Sequence, residues 1–358
     1  MSLNLNHHPS MAEDSKVRDA LQSTLNEIGK GLDALQKDAA RSGLTETIPL
    51  EILRKDFISV VSLIYNYSTR LWIAIGKQPP TPSAALPTLK DLSQHVSTLY
   101  GCALAFRDVH GKSFMSEARR SAVDILVALQ PLLQEYMAGK SGDNTMRKTA
   151  AIHESCDKAR NLSLDAREAV CKEWKVDNET LKDAMKEVNE MLNPERPGHD
   201  EEISDGWDEL LDGEAAHEVE LTEKDRAAIK KVTVVLERLV SYRKQIQKTV
   251  LSSAAQVEID VTTYDQILEL SREFIPIVDD IVGCLDLPVE LDELKQLVEA
   301  LGRSLRKLHN AIPRAPTNVS VQMDRLDLSD HSKPDQPLSG IDVLQSKLDD
   351  ILASMQAI

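Results

Sequence analysis

A chain of 358 residues that is 42% apolar is long enough for two domains or one elongated one, with ample material for a core. Aromatics are only 4% and charged residues 28%, so Leu, Ala, Val and Ile must fill the core, a balance that favours helix on helix over packed sheets. The net charge is −16, of which the eleven acids between Asp200 and Glu223 supply −11, leaving about −5 elsewhere; acidity of this kind repels a phosphate backbone and argues against direct nucleic-acid binding.

The N-terminal "MSLNLNHHPS" has no basic stretch followed by an apolar one, so no secretory signal is read and residues 1–14 are expected as a disordered leader. From there the dominant signal is apolar spacing of three and four, one face of a helix. Val17, Leu21, Leu25, Ile28, Leu32 and Leu35 predict the first helix. Leu50, Leu53, Phe57, Val60, Ile64, Tyr67, Leu71 and Ala74 predict a second. It includes the most apolar stretch, but Asn66 and Arg70 interrupt that run, which reads as a buried helix with no membrane span. "GKQPPTPSAALP" should break the chain. Leu89, Leu92, Val96, Leu99, Ala103 and Phe106 mark the third stripe, and Ala118, Ala122, Ile125, Leu129, Leu132 and Tyr136 the fourth, with Pro131 expected to kink it.

Helix continues from about 145 to 192 with a possible break at "NLSLD". After the acidic run, "TEKD" offers a helix start at Thr222. Ile229, Val232, Leu236, Leu239, Ile246 and Val250 form the next stripe. Tyr264, Ile267, Leu268, Ile275, Val278, Ile281 and Leu285 form another, with Pro276 expected to kink it. The cleanest seam is Leu291, Leu294, Val298, Leu301, Leu305 and Leu308. Residues 311–340 are rich in Pro and Ser and are expected to be disordered.

Each stripe covers one side only, so the helices must pack together. The expected fold is all-α: up-and-down helical bundles with a disordered acidic linker. The expected domains are an N-terminal bundle over 15–193, an acidic linker over 194–222, C-terminal helices over 223–310 packing with the bundle, and a short terminal helix over 341–358.

No catalytic constellation emerges, and no cofactor or metal site is expected. Cys102, Cys156, Cys171 and Cys284 lack zinc or redox spacing and read as buried thiols, which suits a reducing compartment. "DDIVGCLD" resembles an aspartate-rich metal motif, but Gly283 stands where a third carboxylate is needed. Di-iron bundles need Glu-x-x-His on two helices, and only Glu214 with His217 fits. His95, His110, His153 and His309 read as solvated or capping residues. Helices 225–251 and 262–285 have the outline of a helix-loop-helix, but an ordinary helical hairpin inside the bundle is the preferred reading. The run preceding them is acidic, so such a pair would bind proteins rather than DNA. A solvating linker has no need of Trp207, Leu210 and Leu211, which stand at i, i+3 and i+4 inside the acidic run. They are the candidate partner-docking residues, with an anchor onto the chain's own bundle as the alternative.

Three stretches carry a resemblance: "GKSFMSEARRSAVDILVALQPLL", "AIHESCDKARNLSLDAREAVCKEWKVDNETLKDAMKEVNEML" and "YDQILELSREFIPIVDDIVGCLDLP". Their order, with an acidic insert between the second and third, resembles the cyclin-D-binding protein family, also called Grap- and cyclin-D-interacting protein or Maid. The resemblance spans roughly residues 50 to 310. It implies an all-helical, non-enzymatic protein of cytoplasm and nucleus. Such a protein binds cyclin D and adaptor or helix-loop-helix partners and restrains cell-cycle progression. It carries over no catalytic residue and no residue-level binding motif, and the chain has no LxCxE motif. The leading alternative is a vinculin- or catenin-like scaffold in the cytoskeleton or trafficking.

Overall fold

The computed structural model describes residues 11–37, 48–77, 80–192, 221–252, 259–313 and 340–358. Every regular element among them is helical, as the three-four spacing predicts. Residues 1–10 of the expected 1–14 leader, most of the acidic linker and residues 314–339 lie outside the described residues, and residues 11–14 open the first helix instead of extending the leader. The chain divides into two compact units, Met1–Ala169 and Val170–Ile358.

The first unit contains α1 (Met11–Gln36), α2 (Leu50–Leu71), α3 (Pro82–Ala105), α4 (Lys112–Met137) and α5 (Asp143–Arg160). α1 packs on α3 and α4, α2 on α3 and α5, and α4 on α5, so the helices close a ring around one core. The predicted stripes line that core: Ile28, Phe57, Leu92, Val96, Ile125 and Leu129 are all buried. Gly31 permits the close approach of α1, because a Cβ there would lie 2.6 Å from the Tyr100 ring and 3.0 Å from Leu126.

The proline-rich break is shorter than the sequence suggests. α3 already starts at Pro82 and continues through Pro87. A proline in the first turn loses an N–H that has no intrahelical acceptor anyway. Pro131 lies inside α4, which runs without interruption to Met137. Gly139 and Gly142, with φ of 70° and 94°, make the turn into α5. His110 is buried and caps the turn after α3: Arg107 N–H donates to its Nδ1 at 3.1 Å, and its Nε2–H donates to the Ile48 carbonyl at 3.2 Å.

The "NLSLD" break is real. Arg54 donates to the carbonyls of Leu162 and Ser163 at 2.9 Å each. Asp165 accepts the Glu168 N–H at 2.7 Å, and the Glu168 carboxylate accepts the Leu164 N–H at 2.8 Å, which starts α6 (Ala166–Leu192). The domain reading of 15–193 as one bundle differs from the observed division, which falls inside α6 after Ala169. Val170, Trp174, Leu181, Ala184 and Val188 of α6 belong to the second core. An amphipathic stripe says that a face is buried, not against what.

The second unit adds α7 (Glu223–Ile246), α8 (Val261–Arg272), α9 (Ile275–Gly283), α10 (Leu291–Ala311) and α11 (Gly340–Met355). α10 packs on α8, α9 and α11, and α11 also packs on α7. Pro276 does not kink a single helix as expected. The helix ends before it, Phe274 turns into the core, and the proline sits in the first turn of α9. The predicted cap at Thr222 is present: its Oγ1 accepts the Asp225 N–H at 3.2 Å, and the Asp225 carboxylate accepts the Thr222 N–H at 3.2 Å. Asp225 also accepts the Val289 N–H at 3.3 Å, which holds the start of α7 beside the start of α10. Thr222→Ala should therefore cost about 1 kcal/mol in urea denaturation. An unchanged midpoint would show that the box does not hold the helix.

This unit buries a cation. Arg243 of α7 is 0% exposed, with its guanidinium 4.0 Å from the Trp174 ring centroid and 5.4 Å from that of Phe274. It donates to Asn178 Oδ1 at 2.6 Å, and Asp177 lies 3.9 Å away. Asp177 is held in turn by Arg272 of α8 at 3.1 Å. Long side chains thus tie α6 to α7 and α8. Burial pulls the Arg243 pKa down to about 10, although the neighbouring Asp177 opposes this. His309 is also buried rather than solvated, its Nδ1 3.0 Å from the Tyr242 hydroxyl.

Candidate functional site

The groups that suggested chemistry in the sequence do not converge. Among the described residues, no cluster of three or more His, Cys, Asp or Glu could hold a metal ion. Asp279 and Asp280 are exposed on α9. The four cysteines are thiols outside any disulfide, but only Cys156 is fully buried; Cys102, Cys171 and Cys284 are half-buried. Burial pushes the Cys156 pKa up to about 12 and raises those of Cys102 and Cys284. Thiols held protonated are poor nucleophiles.

The helix-loop-helix outline resolves into bundle elements. Ile229, Leu236, Leu239, Ile267, Leu268 and Val278, which such a pair would offer a partner, all lie in the second core. A dimerising partner would have to open that core.

Surface recognition is better served by α10. Its buried face carries Leu294, Val298, Leu301, Leu305 and Leu308, the predicted seam apart from Leu291. Flanking it, Lys295, Glu299, Arg303 and Arg306 are exposed at intervals of four, four and three, which puts them in one row. Between this row and the last turns of α11 lies a cleft with a cavity volume of about 440 Å³. Its floor is apolar, from Val298, Leu352, Met355 and Ile358, and its rim carries Lys295, Arg303 and Arg306. Glu299 pairs with Arg303 at 3.9 Å, so the rim keeps a positive balance. The groove between α1 and α3 is instead lined by Ser23, Thr24, Glu27, Ser93, Gln94 and Ser97 and offers few apolar anchors.

A basic-rimmed apolar cleft suits an acidic peptide with bulky apolar side chains. The basic row was legible in the sequence as spacing, but the leucine seam beside it dominates the pattern, and nothing in the spacing shows that α11 forms the other wall. Trp207, Leu210 and Leu211 lie outside the described residues.

Closed helical cores and a basic-rimmed cleft define an all-helical protein. Two family models match the chain: the N-terminal region of Grap2 and cyclin-D-interacting proteins over residues 56–194, and their C-terminal region over 203–310. The chain belongs to the Grap2 and cyclin-D-interacting family. No curated protein matches it. The second matched region includes Trp207, Leu210 and Leu211 and ends before α11.

Proposed function

We propose that the protein regulates cell-cycle progression or transcription by binding other proteins, without a catalytic step or a cofactor. Its partners are a D-type cyclin and adaptor or helix-loop-helix proteins, met in the cytoplasm and the nucleus. The observation that carries this reading is the pair of family matches, in order, covering residues 56–194 and 203–310. The apolar stripes of both units are used in their own cores, which leaves recognition to surface elements. Trp207, Leu210 and Leu211 are the docking element: apolar anchors for the partner, set among acids that steer the encounter.

Affinity capture of the tagged full chain from proliferating cells, followed by binding assays with purified components, tests this. A D-type cyclin should be recovered and should bind directly. Recovery of actin-linked proteins instead would turn the reading toward a vinculin- or catenin-like scaffold. Trp207→Ala with Leu210→Ala should weaken direct partner binding at least tenfold while both helical units stay folded. Unchanged binding in that variant would remove these residues from the interface.

A further inference from the structure

The acidic segment has a chemical counterpart within the same chain. We propose that the α10–α11 cleft holds residues 200–220 of its own chain, with Trp207, Leu210 and Leu211 on the apolar floor. A partner protein then competes with the cleft for the segment. Only this competition rests on the functional reading above; the contact within the chain does not.

Charge is the first argument. Lys295, Arg303 and Arg306 make a positive rim in a chain of net charge −16. Eleven acids and no Lys or Arg lie between Asp200 and Glu223. Opposite charges at close range favour the contact in water and lose strength with salt.

Shape is the second. A helical turn over 207–211 would place the indole and both leucines on one face. The part-exposed Leu352 and Ile358, beside buried Val298 and Met355, offer them an apolar surface. A cavity of about 440 Å³ falls within the range of sites that take a compact bulky group.

Reach is the third. The described chain resumes at Leu221, and the bond from Val289 N–H to Asp225 sets this point beside the start of α10. Lys295 lies about one helical turn into α10. The ten residue-to-residue steps from Leu211 to Leu221 can extend roughly 35 Å. The cleft side of α10, from Leu291 to Arg306, is only about 22 Å long. A segment tethered this closely has an effective concentration on the order of millimolar, enough to occupy a weak site.

The test uses the full chain labelled with 5-fluorotryptophan, which gives resonances for Trp72, Trp174 and Trp207. Trp207→Phe assigns the third. The Trp207 resonance should differ from that of a synthetic 200–223 peptide. It should move to the peptide position in Arg303→Glu with Arg306→Glu, while those of Trp72 and Trp174 stay in place and report an intact fold. The labelled peptide should also bind at least tenfold more tightly to the full chain carrying Trp207→Ala, Leu210→Ala and Leu211→Ala than to the unaltered chain, because the cleft is then vacant. A Trp207 resonance at the peptide position in the unaltered protein, or one indifferent to charge reversal, overturns the proposal. So does a displaced resonance that appears only as protein concentration rises, since a second copy would then supply the segment. Cyclin binding is measured separately: if no D-type cyclin binds but the displaced resonance persists, the functional reading fails and the cleft contact stands.

Discussion

Arg243→Ala is expected to destabilise the second unit by about 3–5 kcal/mol, the range for removing one partner from a buried charged network. The side chain is fully enclosed and fills the space between the Trp174 and Phe274 rings. Truncation opens a cavity there and strips Asn178 Oδ1 of its 2.6 Å donor. Asp177 keeps Arg272 at 3.1 Å, so the residual charge is not abandoned. Arg243→Met should recover part of the loss, because it restores packing against both rings and removes a charge whose burial the protein opposes. Urea denaturation followed by Trp fluorescence reads both variants. An Ala variant within about 1 kcal/mol of the parent would mean that the network does not hold α6 in place.

Leu301→Ala should cost about 2–5 kcal/mol, the range for truncating a fully packed leucine. Leu301 is 0% exposed and sits mid-seam on α10, the helix that touches α8, α9 and α11. The same truncation at Leu291, which is 40% exposed at the head of the seam, should stay within about 0.5 kcal/mol. The pair separates burial from residue type, since both are leucines of one stripe on one helix. Equal losses at the two positions would show that the seam is not packed as described.

The candidate site was legible only in pieces. Trp207 and its two leucines stand out because a tryptophan with leucines at i+3 and i+4 has no use in a solvating acidic run. The basic row of α10 can be read from its spacing. The wall supplied by Leu352 and Met355 cannot, because these residues come from a helix separated from α10 by residues 312–339.

The sequence by itself determined that the described elements are helices, which face of most of them is buried, and where most of them end. These are local properties: spacing of three and four, proline and glycine in the turns, and a Thr-x-x-Asp box at Thr222. It also placed the chain in its family. Only the tertiary structure decided which helices share a core. α6 looked like the last helix of the first bundle, yet Trp174 and Val188 pack in the second. Arg243 carries no signal in the apolar spacing and His309 read as a solvated or capping residue, yet both are buried. Periodicity records that a side of a helix is turned from water. It carries no information on the partner across the interface, because that partner is chosen by long-range packing and by the polar groups that must be satisfied once water is excluded.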